Sequence, residues 1–348
     1  MSRNDGAKSE VRLWITWERQ RRSVELAEAT HSRLALLEDS ATGVVRYVRL
    51  AWRTVRVLRR ERPAVVYGQN PSMILAALLC LLKKIFGYVL VVDRHSNFKL
   101  ETIDRPGLRW RLFHALSRYS VRHADLTIVT NDFLRVLVDE WGGTGFVLQD
   151  KLPRMERGGT ERLSGRQNIV CVASWSLDEP LAEVMKAAAS LPPDWMVYIT
   201  GRGSDAKLAR HGLDRAGLPD NVRLTGFLTE EQFQTLLRSG DVLLVLTRGE
   251  HTLTCGAYEA VALSKPMVLS DTDVIRAYFS KGAVYTKLHG GDIAAALRVA
   301  IERKQYLSDD VVALRKQLQI DWSNRFQALQ STVGAYLARR SPQTSGLR

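Results

Sequence analysis

Cysteine is scarce and scattered in this chain, with Cys80, Cys171 and Cys255 the only three in 348 residues. None sits in a CxxC spacing, which excludes a disulfide framework and a zinc ribbon and fits a reducing compartment, the cytoplasm. Glycine fingerprints are missing too. Where a GxGxxG would follow the first apolar run, the chain reads Trp17-Glu-Arg-Gln-Arg-Arg22, and its second half opens on Ala173-Ser-Trp-Ser176. A dinucleotide oxidoreductase fits neither. No GxxxxGK[ST] occurs anywhere, so the P-loop enzymes are excluded as well. Met1–Glu10 is polar, and no secretory leader is expected there. The longest apolar stretch, Met73 to Val92, is cut by Lys83-Lys84 and Gly87 and predicts a core helix and a buried strand rather than a membrane span.

Acidic residues are also few against the basic ones, and the deficit is local. The net charge is +13, and residues 1–157 hold 27 Lys and Arg against 17 Asp and Glu, a net of +10; the rest holds 23 against 20, a net of +3. The positive field of the first half points to an anionic surface or ligand on that side. Its most regular feature is Arg46, Arg49, Arg53, Arg56 and Arg60, spaced by three and four. On a helix these form one stripe without acidic partners until Glu61, and Tyr47, Val48, Ala51, Trp52, Val55 and Leu58 fall on the opposite, core-facing side. We expect this stripe to lie on anionic membrane lipid; nucleic acid is the rival partner, but no aromatic stacking platform accompanies it.

What is present in quantity is alternation. Strands are predicted at 11–16, 33–37, 64–67, 88–92, 126–130 and 146–148, with helices at 23–29, 44–62, 71–86, 106–123 and 133–141 between them. After a Gly- and Pro-containing linker over 151–167, a second series has strands at 169–173, 196–200, 222–224, 242–246, 267–270 and 284–286. Its helices are expected near 179–190, 204–211, 229–239, 254–263 and 291–304, and a last helix over 322–339. This pattern predicts α/β architecture, parallel sheets covered on both faces, and two doubly wound domains. Their expected limits are 1–157 and 158–320, with 321–348 as a C-terminal helix and tail. Such a pair implies a ligand cleft at the carboxyl ends of the strands.

The stretch Leu246–Asp271 organises the second half. The run Asp241-Val-Leu-Leu-Val-Leu246 predicts a buried strand, a polar loop follows, and a helix begins near Thr254–Gly256. The free N–H groups and positive dipole end of that helix favour a phosphate. In the first half, Trp17, Glu18, Arg19 and Arg22 stand at a strand end, where arginines and a carboxylate could hold an acceptor's phosphate and a sugar hydroxyl. Cys255 has no base at nucleophile spacing and is read as a small packing residue. Asp271-Thr-Asp273 is read as structural, and no metal site is assigned.

Several stretches together resemble the retaining GT-B glycosyltransferases of the family 4 type. They are Tyr198-Ile-Thr-Gly-Arg-Gly203, Asn221-Val-Arg-Leu-Thr-Gly226, Ser239-Gly-Asp-Val-Leu-Leu-Val-Leu246 and Tyr258-Glu-Ala-Val-Ala-Leu-Ser-Lys-Pro-Met-Val-Leu-Ser-Asp271. The resemblance covers about 150 residues of the second half well and the first half loosely. It implies the GT-B fold, two Rossmann-like domains facing across a cleft, and transfer of a sugar from a nucleotide-diphosphate donor with retention. The donor is a substrate, and no resident cofactor is implied.

By the same resemblance Glu259 binds the donor ribose. The family's second carboxylate, eight residues earlier, is replaced by His251, with Glu250 beside it, and His95 falls where related enzymes carry a histidine close to the transferred sugar. The family's diphosphate-binding Arg and Lys correspond to Ser174 and Glu179, so Arg202, Arg248 and the amides of Thr254, Cys255 and Gly256 are expected to hold the phosphates instead. The expected function is a metal-independent glycosyltransferase peripheral on the inner face of the membrane, acting on a lipid-linked or polysaccharide acceptor in polysaccharide biosynthesis. The alternatives are a nucleotide-sugar 2-epimerase and a non-catalytic binding component of polysaccharide assembly.

Overall fold

The computed structural model describes residues 10–69, 72–95, 98–156 and 158–340. Most of the polar N-terminal stretch, Arg157 of the expected linker, Ser96-Asn97 beside His95, and the tail after Arg340 lie outside those residues, as do Asn70 and Pro71. The chain divides into two compact units, Met1–Lys151 with Trp322–Arg348, and Leu152–Asp321.

The first unit runs β1 (Arg12–Thr16), α1 (Arg21–Ala29), β2 (Arg33–Leu36), α2 (Gly43–Glu61), β3 (Val65–Gln69), α3 (Met73–Phe86), β4 (Val89–Asp93), α4 (Leu108–His123), β5 (Leu126–Val129), α5 (Asp132–Glu140) and β6 (Gly145–Val147). Its six strands are all parallel, in the order β2-β1-β3-β4-β5-β6. One face packs Val66, Leu90 and Val92 against Leu50 and Leu58 of α2 and Leu75 and Leu79 of α3. The other packs Trp14, Tyr67 and Val91 against Leu26 of α1 and against Leu329 and Val333 near the chain's end. Strands buried on both faces need unbroken apolar runs, which is why VVYGQ and VLVVD read so plainly as strands. Helix α3 stays short for a local reason: Ser72 accepts from the Leu75 amide at its start, and Gly87, at φ +73°, turns the chain at its end.

The second unit runs β7 (Gln167–Cys171), α6 (Leu181–Ala189), β8 (Trp195–Thr200), α7 (Asp205–Arg210), β9 (Val222–Gly226), α8 (Glu230–Ser239), β10 (Val242–Val245), α9 (Cys255–Leu263), β11 (Met267–Ser270), α10 (Asp273–Tyr278), β12 (Ala283–Thr286) and α11 (Gly290–Glu302). These strands are also parallel, in the order β12-β11-β10-β7-β8-β9. After β9 the chain returns to the far side of β7, so strand order reverses between β7 and β10. That reversal opens a crevice at the strands' carboxyl ends, the usual ligand position in such sheets.

The chain closes with one helix of 37 residues, α12 (Lys304–Arg340), where a helix over 322–339 alone was expected. The missed half carries Leu307, Val311, Leu314 and Leu318, a helical spacing, and all four are buried in the second unit's core. Helix α10, between the last two strands, was also not expected. Thr272 caps it by accepting from the Ile275 amide, and Asp271 pairs with Arg276, so the Asp-Thr-Asp triplet is accounted for locally.

The orientation of α2 corrects the expected one. Leu50, Thr54 and Leu58 face the core, while Val48 and Trp52 are 62% and 60% exposed. The arginines are not without acids either: Arg46 lies 3.7 Å from Glu18 and Arg49 3.8 Å from Asp39, and Arg53 donates to the Glu38 carbonyl.

Candidate functional site

The crevice between β7 and β10 holds a cavity of about 580 Å³, built wholly from the second unit. Two strand-end loops and the start of α9 form it. The first loop follows β7 and is closed by its own carboxylate. Glu179 accepts from the amide and hydroxyl of Ser174 at 2.9 Å, from the Trp175 amide at 2.8 Å and from the Ser176 amide at 3.1 Å. Successive amides converge in this way because Trp175 adopts φ +65°, in the left-handed region. The indole meets that backbone requirement: it is buried and donates to the Thr200 carbonyl at 3.0 Å. The nest so formed is an anion site already holding an anion, the side chain of Glu179. Ser174, expected to bind the donor, therefore spends both its amide and its hydroxyl on that carboxylate.

The second loop follows β10 and is tied to the first. Thr247 donates through its hydroxyl to Asp178 at 2.9 Å, and the Arg248 amide donates to the Asp178 carbonyl at 2.7 Å. Ser270, at the end of β11, accepts from the Thr247 amide and donates to its carbonyl. The loop thus carries Thr252, Leu253 and Thr254 to the cavity wall.

Helix α9 closes the floor. Gly256 lets it approach the sheet, since a Cβ there would meet Val172 and Val245 at 2.9 Å. Thr254 occupies the N-cap position but makes no capping bond, and its buried hydroxyl has no partner among the described residues. Other helices here use that side chain: Asn131, Thr229 and Thr272 each accept from the amide three residues on. The start of α9 thus keeps its dipole end facing the cavity without a side-chain cap. One turn in, Glu259 is 8% exposed and lines the same space.

Of the expected donor residues, Glu259, Thr254, Cys255, Gly256 and Ser174 line this cavity. Cys255 is exposed there, which corrects the expectation of a packing residue. Arg202 and Arg248 are not among the lining residues. Arg202 lies 5.6 Å over the ring of Phe227, which does line the cavity and is itself 73% exposed. Glu250 and His251 sit in the β10–α9 loop outside the lining. Among the described residues the lining carries Asp178, Glu179, Glu230 and Glu259 and no Lys or Arg. Sequence reasoning missed Asp178, the nest-filling role of Glu179, and the exposed Phe227 as an aromatic platform.

At the carboxyl edge of the first sheet the expected acceptor residues separate. Trp17 is corrected to a core residue: it is 2% exposed, packs among the side chains over the α2 face, and donates from its indole to Thr54 at 3.1 Å. Arg22 is corrected likewise. Its guanidinium is buried and fully engaged, with Asp93 at 2.9 Å, Asp150 at 2.6 Å and the Leu148 carbonyl at 2.9 Å. Burial alone would lower its pKa, but the two carboxylates raise it. The Asp93 carboxyl, which burial would push up, is instead held well below the carboxylate range by the Arg22 charge and by His95. His95 is half-buried at the strand end, its Nδ1 3.4 Å from Asp93. Glu18 and Arg19 are exposed.

Comparison with known proteins adds an independent line. Residues 166–303 match the family described as glycosyl transferases group 1, and residues 5–145 match the glycosyl transferase 4-like domain. Together these two matches cover about four fifths of the chain. A phosphatidyl-myo-inositol mannosyltransferase of Mycobacterium leprae is 28% identical over 159 residues, 42% of this chain and 41% of that protein. A GDP-mannose:cellobiosyl-diphosphopolyprenol alpha-mannosyltransferase of Xanthomonas oryzae pv. oryzae is 24% identical over 270 residues, 74% of this chain and 66% of that one. The chain thus matches less than two thirds of either relative's length. Among solved structures, Anabaena HepE in complex with UDP and glucose aligns with TM-score 0.68 at 13% identity, over 94% of this chain and all of that one. A sucrose-phosphate synthase of Thermosynechococcus elongatus aligns with TM-score 0.75 at 11% identity, over 95% and 100%. At such identities these two share the fold, and the fold alone.

Proposed function

This chain belongs to the GT-B glycosyltransferases of the family 4 type, and from that premise we propose that it moves a sugar, with retention, from a nucleotide-diphosphate donor to a lipid-linked or polysaccharide acceptor. The observation that carries the donor half of this reading is Glu259, an almost enclosed carboxylate beside the start of a helix that has no side-chain cap. A carboxylate so placed suits the two hydroxyls of a ribose, and the α9 amides suit a phosphate. Phe227, with Arg202 above it, offers a face for the nucleobase. In the transfer, the bond from the anomeric carbon to the phosphate oxygen breaks and the acceptor oxygen bonds to that carbon. The acceptor's proton passes to the leaving diphosphate, so no protein base, resident cofactor or metal enters the step as we read it. His95, oriented by Asp93, would serve the transferred sugar in a supporting role.

The acceptor half rests on charge and on the names of the relatives, two mannosyltransferases whose acceptors are named as lipid-borne. The outer face of α2 mixes Val48 and Trp52 with Arg49 and Arg56, and the adjacent α3 exposes Leu81 and Ile85. Basic and apolar groups together suit an anionic membrane surface better than bulk water. Among the described residues no helix is long and apolar enough to cross a membrane, so a peripheral position on the cytoplasmic face is the arrangement we propose.

The acidic lining favours a second reading, a nucleotide- or sugar-binding component without turnover. One experiment separates the two. Thermal melts with UDP, GDP and ADP, followed by sugar release from the matching donor, should show a raised midpoint and release that Glu259→Ala abolishes. A raised midpoint with no release would favour the binding component, and no shift with any diphosphate would sink both the transfer reading and a nucleotide-binding one.

A further inference from the structure

Arg94 follows the last residue of β4 and is wholly buried, 0% exposed. Unlike Arg22, it has no carboxylate partner among the described residues. Its guanidinium lies 3.5 Å from the ring centre of Phe98, and Nη1 meets the Met73 sulfur at 3.6 Å. Its Nε and Nη2 have no hydrogen-bond partner among the described residues. Burial pushes its pKa down to about 9, which still leaves it charged at neutral pH. A buried, charged guanidinium with two idle donors is among the costliest arrangements a core can hold, and it persists where something neutralises it.

Other idle polar atoms lie on α4. His114 is 7% exposed and takes Thr102 as partner at Nε2, but its Nδ1 has none among the described residues. Burial, then the charges of Arg118 and Arg94, hold the His114 pKa below the usual range, so Arg94 is near enough to be felt there. Ser117, one turn further along the same buried face of α4, has a hydroxyl without a partner among the described residues. Thr102 donates its hydroxyl to the Lys99 carbonyl and so accepts from His114 Nε2, which leaves Nδ1 of the neutral ring an acceptor; the idle donors are those of the Arg94 guanidinium edge, and they suit one kind of guest, a compact anion.

We propose that the first unit binds a compact anion, a halide or a single phosphate group, against the Nε and Nη2 edge of Arg94. The site is separate from the donor cavity, which lies in the second unit, and it does not depend on the chain being a transferase. It sits one residue before His95, so its occupancy bears on how that strand end is held.

The test uses the full chain, dialysed into a gluconate buffer and melted at constant ionic strength with chloride, inorganic phosphate or butyl phosphate replacing gluconate. The midpoint should rise saturably, by about 4 °C or more, with chloride or phosphate. In Arg94→Met that rise should vanish, while the midpoint in gluconate stays level or increases. Arg94→Lys, which keeps the charge but not the fork, should show a smaller rise and serves if the Met variant does not fold. Inorganic phosphate acting where butyl phosphate does not marks an enclosed ion; equal action by both marks a site open to a tethered phosphate. Equal wild-type midpoints in all four buffers, or a full rise surviving in either variant, would overturn the proposal.

Discussion

At the carboxyl edge of the first sheet a buried arginine, Arg22, is clamped by Asp93 and Asp150; at the same edge of the second, a carboxylate, Glu179, is clamped by amides, and no guanidinium lines the cavity beside it. Both edges are built from six parallel strands and both bury or half-bury a charge. They differ in what answers it. Side chains answer side chains in the first unit, across long stretches of sequence. In the second, the backbone answers, within six residues. The lesson is that a doubly wound sheet fixes where a charge can be held, while the local loop decides its sign.

That contrast can be broken most sharply at Asp93. Asp93→Asn leaves Arg22 with half its counter-charge and should cost about 3–5 kcal/mol in urea unfolding. The pH dependence carries a sign as well. Because the Asp93 carboxyl is held below its ordinary 3.8, its contribution is fully present above about pH 5 and drains away as pH falls through 3.8 towards the folded value. The Asn variant should lack that acid slope, and an unchanged slope would show that the clamp is not what stabilises this edge. Next in size is the basic field outside the first unit. Replacing Arg49, Arg53 and Arg56 by Gln should reduce flotation with anionic liposomes by on the order of a hundredfold at low salt. Equal flotation would make the stripe an ordinary solvated face.

Smaller effects sharpen the second edge. Gly256→Ala places a methyl against Val172 and Val245 and should cost about 1–3 kcal/mol, read as a lowered melting midpoint. Glu179→Gln keeps an acceptor in the nest but removes a negative charge from the cavity wall. Nucleoside diphosphate should then bind about two- to fivefold more tightly in calorimetry. Weaker binding would mean that the full carboxylate is needed to hold the loop open for the ligand.

Much of this could be read ahead of the coordinates, and the failures share a cause. The strands showed themselves because Val-Val-Tyr and Val-Leu-Val-Val permit little else, and the β10–α9 segment did because a strand, a polar loop and a Lys-Pro stop follow one another. Trp17 and Arg22 misled because a strand-end loop is where ligands are held, and nothing local says that the indole turns inward to Thr54. The partners of Arg22 lie 71 and 128 residues away, beyond any spacing argument. Glu179 was close in sequence to its donors, yet the nest depends on a left-handed tryptophan, which side-chain identity argues against. The faces of α2 were misassigned because arginines with long apolar stems, and valines beside them, make the two sides nearly alike in pattern.

Helix α12 has a consequence for biosynthesis. At 37 residues it is about 55 Å long, and Leu329 and Val333, near its end, complete the core around Trp14, Tyr67 and Val91. About 180 residues are translated between β6, which ends at Val147, and Leu329 of that seal. The first unit therefore leaves the ribosome as a sheet with one apolar face partly bare, and it must wait for Leu329 and Val333 of α12 before that face is covered. During that wait, the sheet already made is in need of protection from aggregation.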